Sequence, residues 1–224
     1  KLKIDIMEQD VINLDYNVDN LFPTPLHYLY IDDFESRKQK LMEYAYDLRE
    51  KSGYSQKASN KGGWQSTTFK VEGGDILQDL LLTVINNVPS FHSEVTTETY
   101  AWININKPGD YNVKHNHPKT DIAGVLWVKA PKNSGDIVFI NPHDFQAFTE
   151  MHSYTKEFKD KSLCYHSYQY PPREGGMVMF PAHLQHRVEE NKSDEDRISI
   201  SFNISIGLEY TLNPHIRNDL STES

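Results

Sequence analysis

From about residue 96 the chain becomes a series of short β-branched and aromatic segments: TETYAWINI, AGVLWVKA, DIVFIN, LCYHSYQY, GMVMFPA and RISISFNISI. Several alternate apolar and polar residues with period two, and clusters of Asn, Pro, Gly and Asp separate them. Six or more strands at that spacing predict an all-β sandwich or barrel, placed here between residues 96 and 210. Upstream the period changes. PLHYLYID reads as a strand, and DDFESRKQKLMEYAYDLREK as a helix with Asp32 or Asp33 as its cap and Leu41, Tyr44, Ala45 and Leu48 at helical spacing. Ser55 to Gly63 reads as a loop. A second helix is expected from Asp75 to about Asn86, opening after Gly73-Gly74 with Ile76, Leu80 and Val84 on one face. The expected organisation is a support region at residues 1–95, a barrel at 96–210 and a tail at 211–224 that frays.

Composition removes several function classes. At 224 residues with 38% hydrophobic side chains the chain can bury a core, but its longest apolar stretch, DILQDLLLTVI, is too short and too polar for a helical membrane span. A formal charge of −9 repels a phosphate backbone, so nucleic acid is a disfavoured partner. The first residues, KLKIDIMEQDVINLDYN, lack the apolar run and cleavage site of a secretory signal. The single cysteine, Cys164, allows no internal disulfide, which fits a reducing cytoplasm and excludes a Cys-rich zinc module. Ten histidines beside it mean that a bound metal would be held through nitrogen and oxygen. No G-x-S-x-G, P-loop, dinucleotide fingerprint or Cys-x-x-Cys occurs, so hydrolase, NTPase and dehydrogenase readings lack support.

Two segments concentrate the histidines. In GDYNVKHNHPKTDIAGVLWV, His115 and His117 are two apart, so on a strand they share a face and can chelate one ion. Pro118 interrupts regular pairing and leaves both near a rim. Alone, the pair fits two surface histidines beside a turn better than it fits a metal site. In GGMVMFPAHLQHRVEENKSDEDRISISFN, a strand runs from Gly175-Gly176 to Phe180-Pro181, and His183 and His186 follow in a turn. Arg197 then opens a strand through Ser199, Ser201 and Asn203. In isolation Arg197 would be expected to pair with the acidic DED just before it.

Taken in order, His115-x-His117, His186 and Arg197-Ile198-Ser199 resemble the Fe(II)/2-oxoglutarate-dependent dioxygenase pattern. TPLHYL, GGWQS, HNHP, AGVLWV, SGDIVFINP, MFPAHLQHRV and RISISFN extend the likeness to a bacterial and phage branch of those oxygenases, over about residues 20 to 208. The resemblance implies a mainly β double-stranded β-helix, a jelly-roll or cupin-like barrel, with flanking N-terminal α-helices. It implies Fe(II), 2-oxoglutarate as co-substrate and O2, with His115, His117 and His186 as iron ligands. Arg197 would anchor the far carboxylate of 2-oxoglutarate, with Ser199 on the same side and Asn106 and Tyr111 offering polar groups. The family usually has a carboxylate where His117 stands, so Asp121 folding back, or water, remains open for that place. The implied reaction hydroxylates a small-molecule or peptidyl substrate and releases succinate and CO2, and a homodimer is a further expected partner state. Two other readings are kept: a three-histidine cupin-type dioxygenase without 2-oxoglutarate, and a non-catalytic jelly-roll binding module.

The remaining residues have plainer expectations. His183 is exposed or lies behind the ligands, and His143, His152 and His166 are structural. Trp102, Trp127, Phe139 and Phe180 are core aromatics, and Cys164 is buried and inert. The connection NPHDFQAFTEMHSYTKEFKDKS is long enough for a lid or a substrate-shaping loop.

Overall fold

The computed structural model describes residues 22–88, 96–143, 154–163 and 165–207. Cys164, residues 144–153 of the expected lid, His152 among them, and both chain ends lie outside these residues. Two antiparallel sheets are stacked, with strands numbered in chain order. The larger runs β1 (His27–Tyr30), β10 (Gly176–Pro181), β7 (Ile122–Lys129), β12 (Arg197–Gly207), β5 (Thr96–Asn106) and β3 (Trp64–Gln65), with β4 (Phe69–Lys70) also on β5. The smaller runs β2 (Asn60–Lys61), β6 (Tyr111–His115), β11 (His186–Val188), β8 (Ile137–Ile140) and β9 (Ser167–Tyr170). This is the expected jelly roll.

Alternation along the two longest strands explains the layering. Ile198, Ile200, Phe202 and Ile204 of β12 and Ala101, Ile103 and Ile105 of β5 point away from the smaller sheet. They pack with Leu41 and Ala45 of α1 (Glu35–Ser52) and with Leu77, Leu80, Leu81 and Ile85 of α2 (Ile76–Asn86). Burying each such large side chain contributes about 1.5–3 kcal/mol, which is why this outer face is apolar wherever a helix covers it. Residues on the opposite face, including Trp102, Asn104, Arg197, Ser199 and Ser201, look into the space between the sheets. Ala123, Val125, Trp127, Ile137, Phe139, Val178 and Phe180 form a second core there. The polar side chains of β12 therefore have one destination, the barrel interior.

The helices differ in detail from the sequence reading. Asp75 caps α2 as expected, its Oδ1 accepting from the backbone N–H of Leu77 at 3.0 Å and of Gln78 at 2.9 Å. The face α2 buries is Leu77, Leu80, Leu81 and Ile85 rather than Ile76, Leu80 and Val84, because these four join the core cluster that α1 and the outer sheet face also enter. Neither Asp32 nor Asp33 caps α1 through its side chain: Phe34 holds the cap position, and the Asp33 carbonyl accepts from the Ser36 hydroxyl at 2.8 Å. The expected loop at 55–63 contains β2, and the long connection carries a short helix, α3 (Lys156–Ser162). Among the described residues no helix is long and apolar enough to cross a membrane.

Gly124 marks the tightest cross-strand contact. It faces Phe202 in register, and a Cβ at this position would lie 2.2 Å from the Phe202 ring. Phe202 is fully buried and cannot swing away. Gly124→Ala is expected to destabilise the fold by about 1–3 kcal/mol, read as a lower urea midpoint at unchanged slope. An unchanged midpoint would contradict this packing.

Candidate metal centre

β6 ends on His115 and β11 begins on His186, and the antiparallel register sets these two residues directly opposite each other. His186 thus stands on a strand rather than in the turn expected for it. The turn lies just before, at residues 182–184, and its Ala182 carbonyl accepts the His117 backbone N–H at 2.9 Å. That bond fixes the chain beyond β6 where Pro118 would otherwise release it. The result is a cluster of three imidazoles. Ring centroids are 4.3 Å apart for His115 and His186 and 5.2 Å for each of the other pairs, with His117 and His186 nearly parallel. One ring nitrogen from each residue falls within 4.8 Å of the other two.

Two of the rings are oriented by backbone. His115 Nδ1 donates to the Val113 carbonyl at 2.7 Å, and His186 Nδ1 to the Leu184 carbonyl at 3.0 Å. A carbonyl only accepts, so Nδ1 carries the proton and Nε2 keeps its lone pair for a metal. His117 stacks on Trp102 at 5.7 Å and lies beside Asn203, whose Oδ1 is buried without a hydrogen bond of normal geometry. Burial, reinforced by the neighbouring imidazoles, pushes His186 down to about 3 and His117 down to about 4. Burial also lowers His115. All three are neutral at physiological pH, the form that ligates.

A pH dependence follows for the metal-free protein. His117 and His186 titrate near 6.5 when unfolded and well below that when folded. Between those values the unfolded state binds more protons, so stability rises with pH and is lost as pH falls from about 6.5 towards about 3. Acid unfolding followed by circular dichroism should show this loss, and His186→Leu should flatten it. A profile flat across that window in the parent protein would contradict the burial of these rings.

Arg197 opens β12 at 2% exposure, opposite Asn106 in register. Its Nη1 donates to the Ser134 carbonyl at 2.5 Å and to the Gly135 carbonyl at 3.3 Å. The acidic loop before it is engaged elsewhere: Asp196 takes Arg49 at 3.7 Å and the Tyr46 hydroxyl, and Glu195 takes Lys129 at 2.8 Å. Among the described residues no carboxylate lies within ion-pair distance of Arg197. Burial lowers its pKa to about 10, partly offset by the charge of Asp110, so it stays protonated at neutral pH. A buried cation without an anion is costly, and here it lines the same pocket as the three histidines.

The other expected site residues separate. Ser199 is buried and lines the pocket with Arg197. Asn106 is buried beside Arg197 but outside the pocket lining, and its Oδ1 makes no hydrogen bond. Tyr111 is exposed on β6. Asp121 is not in the imidazole cluster: its Oδ2 accepts the Ile206 backbone N–H at 2.7 Å, which ties the end of β12 to β7. His183, His143 and His166 are exposed. Trp102, expected in the core, is half-buried and walls the pocket instead, with Asn104, Asn112 and Ser201. The sequence reading places none of these last three in the site, although the alternation of β5 and β12 puts Asn104 and Ser201 on the same face as Trp102 and Arg197.

This donor set fits a non-haem iron and a dicarboxylate. Neutral imidazoles suit Fe(II), three ligands on one side leave positions open, and the guanidinium offers an unpaired cation for a carboxylate.

Residues 100–203, which carry all the residues of this cluster, match the family described as "Putative 2OG-Fe(II) oxygenase". Among solved structures, a prolyl-4-hydroxylase of Pseudomonas putida matches at TM-score 0.53 and 12% identity, over 81% of this chain and 92% of that one. The non-heme alpha ketoglutarate dependent carbocyclase SnoK from nogalamycin biosynthesis matches at TM-score 0.57 and 12% identity, over 81% and 79%. A prolyl hydroxylase of Trichoplax adhaerens matches at TM-score 0.53 and 11% identity, over 88% and 87%. At such identities these likenesses show the fold. No curated protein matches the chain in sequence. Residues 100–203 thus match a family described by its use of 2-oxoglutarate and Fe(II), and the fold that carries them is shared with those enzymes.

Proposed function

We propose that this chain is an oxygenase that hydroxylates a small-molecule or peptidyl substrate, with His115, His117 and His186 holding iron and Arg197 holding 2-oxoglutarate. The observation that carries the reading is Arg197, a buried cation without a carboxylate in the same pocket as three neutral imidazoles. Bound together, Fe(II) and 2-oxoglutarate supply an oxidative decarboxylation that consumes O2, releases succinate and CO2, and leaves one oxygen atom for the substrate.

The chain's own residues prepare that chemistry. Ser134 and Gly135 hold one edge of the guanidinium through Nη1, which leaves its remaining N–H donors to take a carboxylate by paired, charge-assisted bonds. The Ser199 hydroxyl, two residues along the same strand face, can add a further donor. Val113 and Leu184 keep the ligand nitrogens of His115 and His186 deprotonated and aimed. Trp127, Phe180 and Ile137 wall the pocket with apolar surface and exclude water from it. A dioxygenase without 2-oxoglutarate would leave Arg197 with no anion, which disfavours that reading.

The test is turnover of 2-oxoglutarate by the purified protein supplied with Fe(II) and O2. Slow formation of succinate without added substrate, abolished by omitting Fe(II), is the expected result. Absence of succinate from protein shown to contain stoichiometric Fe(II) would overturn the proposal.

A further inference from the structure

A line of stacked and hydrogen-bonded rings leads from this pocket to the surface. Trp127, at 3% exposure, lines the pocket from β7. Its indole stacks on Tyr170 of β9 with centroids 5.9 Å apart and planes 11° from parallel. The Tyr170 and Tyr30 hydroxyls are 3.1 Å apart, joining residues 140 positions distant in sequence. Tyr30 is 44% exposed on β1, and Arg173 sits 4.1 Å over its ring. Tyr28, at 65% exposure, lies 6.3 Å from Tyr170, and Tyr168 is also exposed. β1 and β9 are the edge strands of the two sheets, so the rings close the seam of the barrel where its interior comes nearest to solvent.

Packing alone asks for none of the chemistry at this seam. Apolar side chains would close it as well, yet every ring in the line is one of the two readily oxidised kinds, Trp or Tyr. The hydrogen bond between the two hydroxyls, in which either can donate, gives a proton at Tyr170 a path to Tyr30 and the surface. Burial, with the hydrogen bond to Tyr30, raises the Tyr170 pKa, and the hydrogen bond with Tyr170, helped by Arg173, lowers that of Tyr30.

We propose that Trp127, Tyr170 and Tyr30 form a relay that carries single oxidising equivalents from the pocket to the protein surface when no substrate is present to receive them. This rests on the oxygenase reading above. In the first step Trp127 gives one electron to the oxidised iron site. Tyr170 then gives one electron to the Trp127 radical cation. The Tyr170 proton passes along the hydrogen bond to the Tyr30 oxygen, and the Tyr30 proton leaves to water. A soluble reductant of the thiol or ascorbate class returns one electron to the phenoxyl radical, and a proton from water restores the hydroxyl. The net event is one-electron reduction of the iron site by that reductant, with the pocket side chains spared.

The experiment is freeze-quench electron paramagnetic resonance on protein given Fe(II), 2-oxoglutarate and O2 without substrate, with ring-deuterated tyrosine to identify a phenoxyl signal. Mass spectrometry of the same samples maps the oxidised side chains. The expected result is a phenoxyl radical, with oxidation products at Tyr170, Tyr30 and Tyr28. In Tyr170→Phe, which keeps a ring in the stack, that signal should be lost and oxidation should collect on Trp127. In Trp127→Phe the tyrosine products should disappear while Fe(II) affinity is kept. Succinate formation without any phenoxyl signal, or a signal unchanged in Tyr170→Phe, overturns the relay and leaves the oxygenase reading standing. Failure to form succinate overturns both.

Discussion

Arg197→Met is expected to weaken 2-oxoglutarate binding by roughly 30-fold to several thousand-fold while Fe(II) affinity stays within a few-fold of the parent. Truncating one partner of a buried, hydrogen-bonded charge pair costs about 2–5 kcal/mol, at about 1.4 kcal/mol per factor of ten. The variant separates two roles of one residue. In the metal-free protein Arg197 is a buried cation hydrogen-bonded to the carbonyls of Ser134 and Gly135, with the charge of Asp110 beyond ion-pair distance. Replacing it with an apolar chain of similar length should therefore leave the stability of the metal-free protein unchanged or raise it, since buried ionic groups are often replaced at no cost. Titration calorimetry with 2-oxoglutarate, beside a urea melt of the same sample, reads both effects. A variant that binds 2-oxoglutarate like the parent would remove Arg197 from the site.

The second large effect concerns the metal ligands. His186→Ala and His117→Ala are each expected to lower Fe(II) affinity by more than the roughly 10–100-fold lost when an outer partner of a ligand is removed. His117→Asp should retain binding, because a carboxylate is itself a ligand for non-haem Fe(II). Asp121→Ala should leave the metal in place and weaken only the bond that its Oδ2 accepts from Ile206, at a cost of about 1 kcal/mol. Metal content after gel filtration, measured for the four variants in parallel, distinguishes these cases. Loss of iron in Asp121→Ala with retention in His117→Ala would reverse the ligand assignment.

The fold was legible where the strands are long and alternate. RISISFNISI shows both faces of β12 in its sequence, and the apolar half finds the helices while the polar half finds the pocket. β6 was harder, because YNVKH is polar along most of its length and becomes a strand by pairing with β11 and β2. β11 is three residues long and has no pattern to read. Within the site, the spacing of His115 and His117 and the distal His186 could be seen in advance. The isolation of Arg197 could not. It depends on Arg49, Tyr46 and Lys129 taking the acids next to it, and these lie far away in sequence. From sequence Trp102 reads as a core residue, because tryptophan is highly buried on average. Its place on the pocket wall follows only once the inner face of β5 is known.

The most direct test is an anaerobic titration of the purified protein, first with Fe(II) and then with 2-oxoglutarate, followed by visible absorption. One Fe(II) per chain, and a weak charge-transfer band that appears only when 2-oxoglutarate is added, is the predicted result. The band should be absent from His186→Ala and should need far more 2-oxoglutarate in Arg197→Met. Stoichiometric iron with no band at saturating 2-oxoglutarate, or a band unaffected by loss of His186, would contradict the site described above.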